Sequence, residues 1–160
     1  MSQTLQPRES LFGPIALAAA IIIVASGLYL SGQLGCIGLG LWIISVLAPL
    51  PLGLWISLHW PGQHQGAYFG IGLLLGVIGM IGSWIFVRLF YGPGAYTAGD
   101  WAILILAYPI WCTAMTVAGG LYGDSVKSRT DPSETTNLVL RFAGGVGVCG
   151  AIFGFVCGLL

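Results

Sequence analysis

The chain has 160 residues, 57% hydrophobic and only 6% charged, with a mean hydropathy of +0.95. A soluble domain is about 25% charged, so a water-soluble fold of this size is excluded unless lipid covers most of its surface. Five basic and five acidic residues give no net charge, which removes any electrostatic case for nucleic acid as a partner. The composition describes an all-α integral membrane protein forming one compact helical domain over 1–160, with no separate soluble domain.

Residues 1–10 form a short polar leader. Positions 11–30, LFGPIALAAAIIIVASGLYL, then run for twenty residues without a charge. About 20 apolar residues at about 1.5 Å each match a hydrocarbon core about 30 Å thick. Pro14 falls in the first turn, where a missing N–H is harmless. Val24-Ala25-Ser26 has the small residues of a cleavage site, but the apolar run continues past it. Ser31-Gly32-Gln33 is the sole break before a second run, 34–58, so the two spans are expected to form a tight antiparallel hairpin.

The second run contains Pro49 and Pro51. Each removes a backbone donor and crowds the preceding turn, so a kink or break is expected there. Its two similar pieces, LGLWIIS and LGLWIS, are 13 positions apart and look in different directions on a helix. They reflect composition, not a structural repeat.

A polar stretch, HWPGQHQ, precedes the third span at 67–90. The sequence GAYFGIGLLLGVIGMIGSWIFVR is apolar up to its single arginine, yet carries six glycines. Each interior glycine costs a water-exposed helix about 1 kcal/mol against alanine, whereas in a bilayer it lets two backbones approach. Gly72, Gly76, Gly79 and Ser83 share one narrow arc and mark a helix-packing face. A turn-rich stretch, YGPGAYTAG, leads to the fourth span at 101–122, with Asp100 as its expected cap and Pro109 inside it. Residues 123–137 hold five of the ten charged residues. Asp131-Pro132-Ser133-Glu134 reads as a helix start in water, followed by the fifth span at 138–160. Here Gly147, Gly150, Gly154 and Gly158, with Ala143, form a second small-residue stripe. The simplest expectation pairs the two stripes, so that the third and fifth spans pack together.

With five spans, Arg8, Lys127, Arg129 and Arg141 collect on one side and Arg88 alone on the other. The positive-inside rule then predicts a cell-membrane protein with a cytoplasmic N-terminus and the opposite end outside.

Little in the chain points to chemistry. No acid lies in the middle of a span, which argues against proton-coupled transport. Arg88 lies about one turn from the end of its span and is expected to snorkel to the headgroups or pair with Asp100. His59 and His64 are weak candidates for a surface metal or acid–base site with Asp124, Asp131 or Glu134. No cofactor is expected, since neither a haem-type histidine nor a nucleotide-binding motif is present. Cys36, Cys112, Cys149 and Cys157 lie in apolar runs and read as reduced packing residues.

The leading expectation is a non-enzymatic structural or accessory protein that packs through glycine faces with copies of itself or with other membrane subunits. The alternative is a small oligomeric transporter or channel for a neutral or apolar solute. It would use helices broken at Pro49, Pro51 and Pro109, with Ser45, Ser57, Thr113 and Thr116 as hydroxyls.

Overall fold

The computed structural model describes residues 11–32, 34–60, 65–92, 98–127 and 132–159, leaving aside the side chains of 65, 98–105, 132 and 133. These residues form six helices and, among them, no strand: α1 (Phe12–Leu30), α2 (Gly35–Leu47), α3 (Pro49–His59), α4 (Gln65–Tyr91), α5 (Ala98–Val126) and α6 (Pro132–Leu159). Among the described residues, four stretches are long and apolar enough to cross a bilayer: Phe12–Leu30, Gly35–His59, Gly66–Phe90 and Glu134–Leu159. Outward-facing residues such as Phe12, Leu89, Ile110 and Phe155 are largely exposed, as hydrocarbon-facing side chains must be.

The α1–α2 hairpin turns on Gly32, whose φ of +67° is strained for any residue with a Cβ. The N–H of Ser31 donates to the Gly27 carbonyl and that of Gly32 to Tyr29, which satisfies the last turn of α1. The second run divides at Ala48. The cause is local: Pro49 and Pro51 have no N–H for the Ser45 and Leu47 carbonyls, which a regular helix would bond from those positions. Ala48 keeps helical dihedrals, φ −54° and ψ −32°, so α3 takes up where α2 stops.

In contrast, α5 runs unbroken through Pro109. It also starts three residues earlier than the expected 101, so Asp100 lies in its first turn and not at its cap. Its 29 residues reach about 43 Å, longer than a hydrocarbon core about 30 Å thick, with Asp124 in its last turn and Lys127 just past its end. The Asp131 cap expected for α6 lies outside the described residues.

α1, the α2–α3 pair, α4 and α5 close a ring. α1 packs on α2 and α4, α4 packs on α5, and α5 packs on α3, which closes the ring through α2. α6 stands outside the ring and leans on α2 and α3. The expected pairing of the third and fifth spans is therefore wrong: the glycines of α4 face α5 and α1, and the neighbour of α6 is α2. The error came from matching two stripes of the same kind. A small residue packs against whatever backbone reaches it, and its partner need not carry a glycine stripe of its own.

Candidate functional site

The helix backbones come close enough to matter at a few glycines. A Cβ on Gly53 would run into the Thr116 carbonyl, and one on Gly119 into the Leu50 carbonyl, so α3 and α5 meet backbone to backbone. On α4, a Cβ at Gly72 would lie 2.6 Å from the Thr113 Cα, and one at Gly76 would strike the Pro109 backbone. Gly79 gives room to Ile22 of α1, and Ser83 donates to the Gly79 carbonyl at 2.6 Å. Both proline-altered regions are thus filled from across the interface. Pro109 faces Gly76, and the carbonyl of Leu50, between Pro49 and Pro51, faces Gly119.

These close approaches bring two polar clusters together. In the first, Gly120 and Gly123 admit side chains from two neighbours. A Cβ at either would lie 2.7 Å from the Tyr68 ring or from Ser57, respectively. Tyr68 and Ser57 are buried to 1% exposure, and both reach Asp124 on the last turn of α5. Ser57 Oγ donates to Asp124 Oδ1 at 2.6 Å, and Tyr68 Oη donates to Oδ1 at 3.1 Å and Oδ2 at 3.3 Å.

A carboxylate at a helix C-terminus meets the negative end of the helix dipole, so these two hydroxyl donors supply what its own helix cannot. Lys127 adds a third link, its Nζ donating to the Ser57 carbonyl at 2.9 Å. The helix ladder gives that carbonyl no donor, because residue 61 is proline. Four side chains therefore tie α3, α4 and α5 together at one end of the bundle. Asp124 itself is exposed, so the cluster lies at the surface of the bundle end.

The second cluster is deep in the ring. Tyr108 of α5 donates to Ser26 of α1 at 2.5 Å and lies 3.2 Å from Ser45 of α2. Ser26 in turn donates to the Ile22 carbonyl, and Ser45 to the Trp42 carbonyl at 2.7 Å. All three residues are buried. Each hydroxyl has a protein partner, as burial in an apolar interior requires. Thr113 and Thr116 bond the carbonyls of Pro109 and Cys112 in their own helix. Of the four hydroxyls singled out in the sequence, Ser45 and Ser57 bridge helices and the two threonines do not.

The histidines are not brought to the acids by any bond described. His59 Nδ1 lies 3.1 Å from the Trp55 carbonyl and its ring stacks on Trp55 at 4.8 Å; His64 is outside the described residues. Among the described residues no three of His, Cys, Asp and Glu gather to hold a metal. Arg88 places its guanidinium 5.5 Å from the Trp84 ring centre, a cation–π contact near the end of α4. The Asp100 side chain lies outside the described residues.

The chain matches no family model, no curated protein and no solved structure. Function has to be read from the residues themselves, and the remaining feature is α6. Its expected stripe divides in two. Gly150 and Gly154 lie against α2, where a Cβ on Gly40 would clash with the Gly150 carbonyl. Gly144, Gly147 and Gly158 have nothing within 4 Å of a built Cβ. Beside the α2 contact lies a cavity of about 470 Å³, lined by apolar residues including Ile37, Leu41, Ile44, Ala151 and Phe155. Only 6% of the apolar stretch of α6 is buried, against 44% for Gly35–His59, so much of the surface of this helix is left uncovered by the rest of the chain.

Sequence reading missed Gly53, Gly119, Gly120, Gly123, Tyr68 and Tyr108. The Gly119-Gly120-x-x-Gly123 pattern was visible as a further small-residue face. Nothing in the sequence gave the partners of the two tyrosines.

Proposed function

We propose that this chain is a five-span membrane protein that serves as an assembly or accessory subunit, with α6 as its docking element for a further transmembrane helix. The observation that carries this reading is the open face of α6. At about 100° per residue, Gly144, Gly147, Ala151 and Gly158 fall within an arc of about 60°, next to the arc that contacts α2. A helix with small residues on an unoccupied face is built for close backbone approach, and lipid tails gain little from that shape.

The topology proposed with it has a cytoplasmic N-terminus and the end of α6 outside, in the cell membrane. It rests on the positive charges, Arg8, Lys127, Arg129 and Arg141 against Arg88. In this topology the end of the bundle where Ser57, Tyr68 and Asp124 meet would face inward, and the α1–α2 turn would share the outer side with the end of α6. The alternative, a small transporter or channel, would use the helices altered at Pro49, Pro51 and Pro109; the close packing of Gly119 on Leu50 and of Gly76 on Pro109 supports the docking reading over it.

The test is gentle extraction followed by size measurement and crosslinking of the full chain. An oligomer or a co-purifying membrane subunit that dissociates in Gly147→Leu, while the fold is kept, supports the proposal. A strictly monomeric particle in native lipid, with no crosslinked neighbour and no response to Gly147→Leu, overturns it.

A further inference from the structure

The α2–α6 contact brings two of the four cysteines together. The helices run antiparallel, and their backbones touch where Gly40 meets Gly150 and Gly154. One turn outward from that contact, Cys36 precedes Gly40 by four residues and Cys157 follows Gly154 by three. The Cys36 carbonyl lies 3.4 Å from a built Cβ on Gly154, which puts Cys36 beside the turn of α6 that carries Cys157. Both residues are half-buried, at the start of α2 and in the last turn of α6. Helices that approach to backbone contact bring facing residues within the Cα separation that a disulfide bridges.

We infer that Cys36 and Cys157 are a disulfide-forming pair that fastens α6 to the ring. The reaction is thiol–disulfide exchange with an external disulfide, a small molecule or an oxidised dithiol protein. The thiolate of one cysteine attacks it, forming a mixed disulfide and releasing one thiol. The second cysteine attacks that bond, forming the Cys36–Cys157 bond and releasing the other thiol. The two cysteines lose two electrons and two protons, and the external disulfide gains them. Oxidation then closes the outer end of the cavity between Ile37 and Gly158 and fixes the tilt of a helix held on one side only. The inference is independent of the docking role of α6.

The test uses the full chain in lipid nanodiscs, treated with oxidised glutathione or with dithiothreitol, then denatured and labelled with a maleimide. The reduced protein takes up four labels and the oxidised protein two, with a crosslinked peptide pair joining Cys36 to Cys157. Cys36→Ser abolishes the protection. If that variant does not fold, the double variant Cys112→Ala/Cys149→Ser, which keeps the pair, goes from two labels to none on oxidation. Four labels under both conditions, or protection that persists in Cys36→Ser, overturns the inference.

Discussion

α5 and α6 are nearly equal in length and both rich in glycine, yet they use glycine in opposite ways. At Gly119, Gly120 and Gly123 of α5, another helix's backbone or side chain fills the space where a Cβ would stand. On α6 only Gly150 and Gly154 are filled, and Gly144, Gly145, Gly147 and Gly158 face open space. A glycine face is a capacity for close approach, and the rest of the chain decides whether that capacity is used internally. α5 sits inside the ring and spends its glycines on the fold. α6 sits outside it with four of its six glycines free.

Substitutions sharpen this contrast, and the largest effect belongs to the filled positions. Gly53→Ala and Gly119→Ala each drive a methyl into a backbone carbonyl that cannot swing away. Each is expected to destabilise by about 3 kcal/mol or more, seen as a large drop in the denaturing-detergent midpoint. Asp124→Ala comes next, since it leaves the buried hydroxyls of Ser57 and Tyr68 without their acceptor. A loss of about 1 to 2 kcal/mol is expected in the same titration, with Asp124→Asn retaining part of it.

Tyr108→Phe removes one hydroxyl from a cluster whose serines keep their own carbonyl partners. The expected cost is about 1 kcal/mol, in the range of hydrogen bonds between membrane helices. At the bottom of the scale, Gly144→Ala meets nothing and is expected to change stability by less than about 1 kcal/mol. A large loss of monomer stability there would break the contrast, because it would mean the open face is packed after all.

Much of the fold was legible in the sequence. Apolar run length gave the helices, because a backbone in hydrocarbon has to satisfy itself within one segment. The prolines marked the division at Ala48, but not the continuity of α5 through Pro109. There the neighbouring Gly76 offers a place for the altered turn, and that is a property of the packing. Helix pairing was not legible. Gly72 and Gly76 announce a close contact and say nothing of whose backbone arrives. The polar clusters were harder still: Asp124 looked like a loop residue, and Tyr68, 56 positions away, gave no sign of a polar role. Only the crossing of α4 and α5 brings them within a hydrogen bond.

The position of α6 also bears on how the molecule is made. Domains and bundles form from the N-terminal side while a chain is still being synthesised. The ring helices α1 to α5 all precede α6, so their contacts can close before it leaves the ribosome. α6 then enters a membrane that already holds a finished wall, with Ile37, Gly40 and Ile44 as its landing strip. Its opposite flank is still unclaimed at that moment, and a neighbouring membrane helix could be captured there during synthesis, before the chain exists as a free monomer.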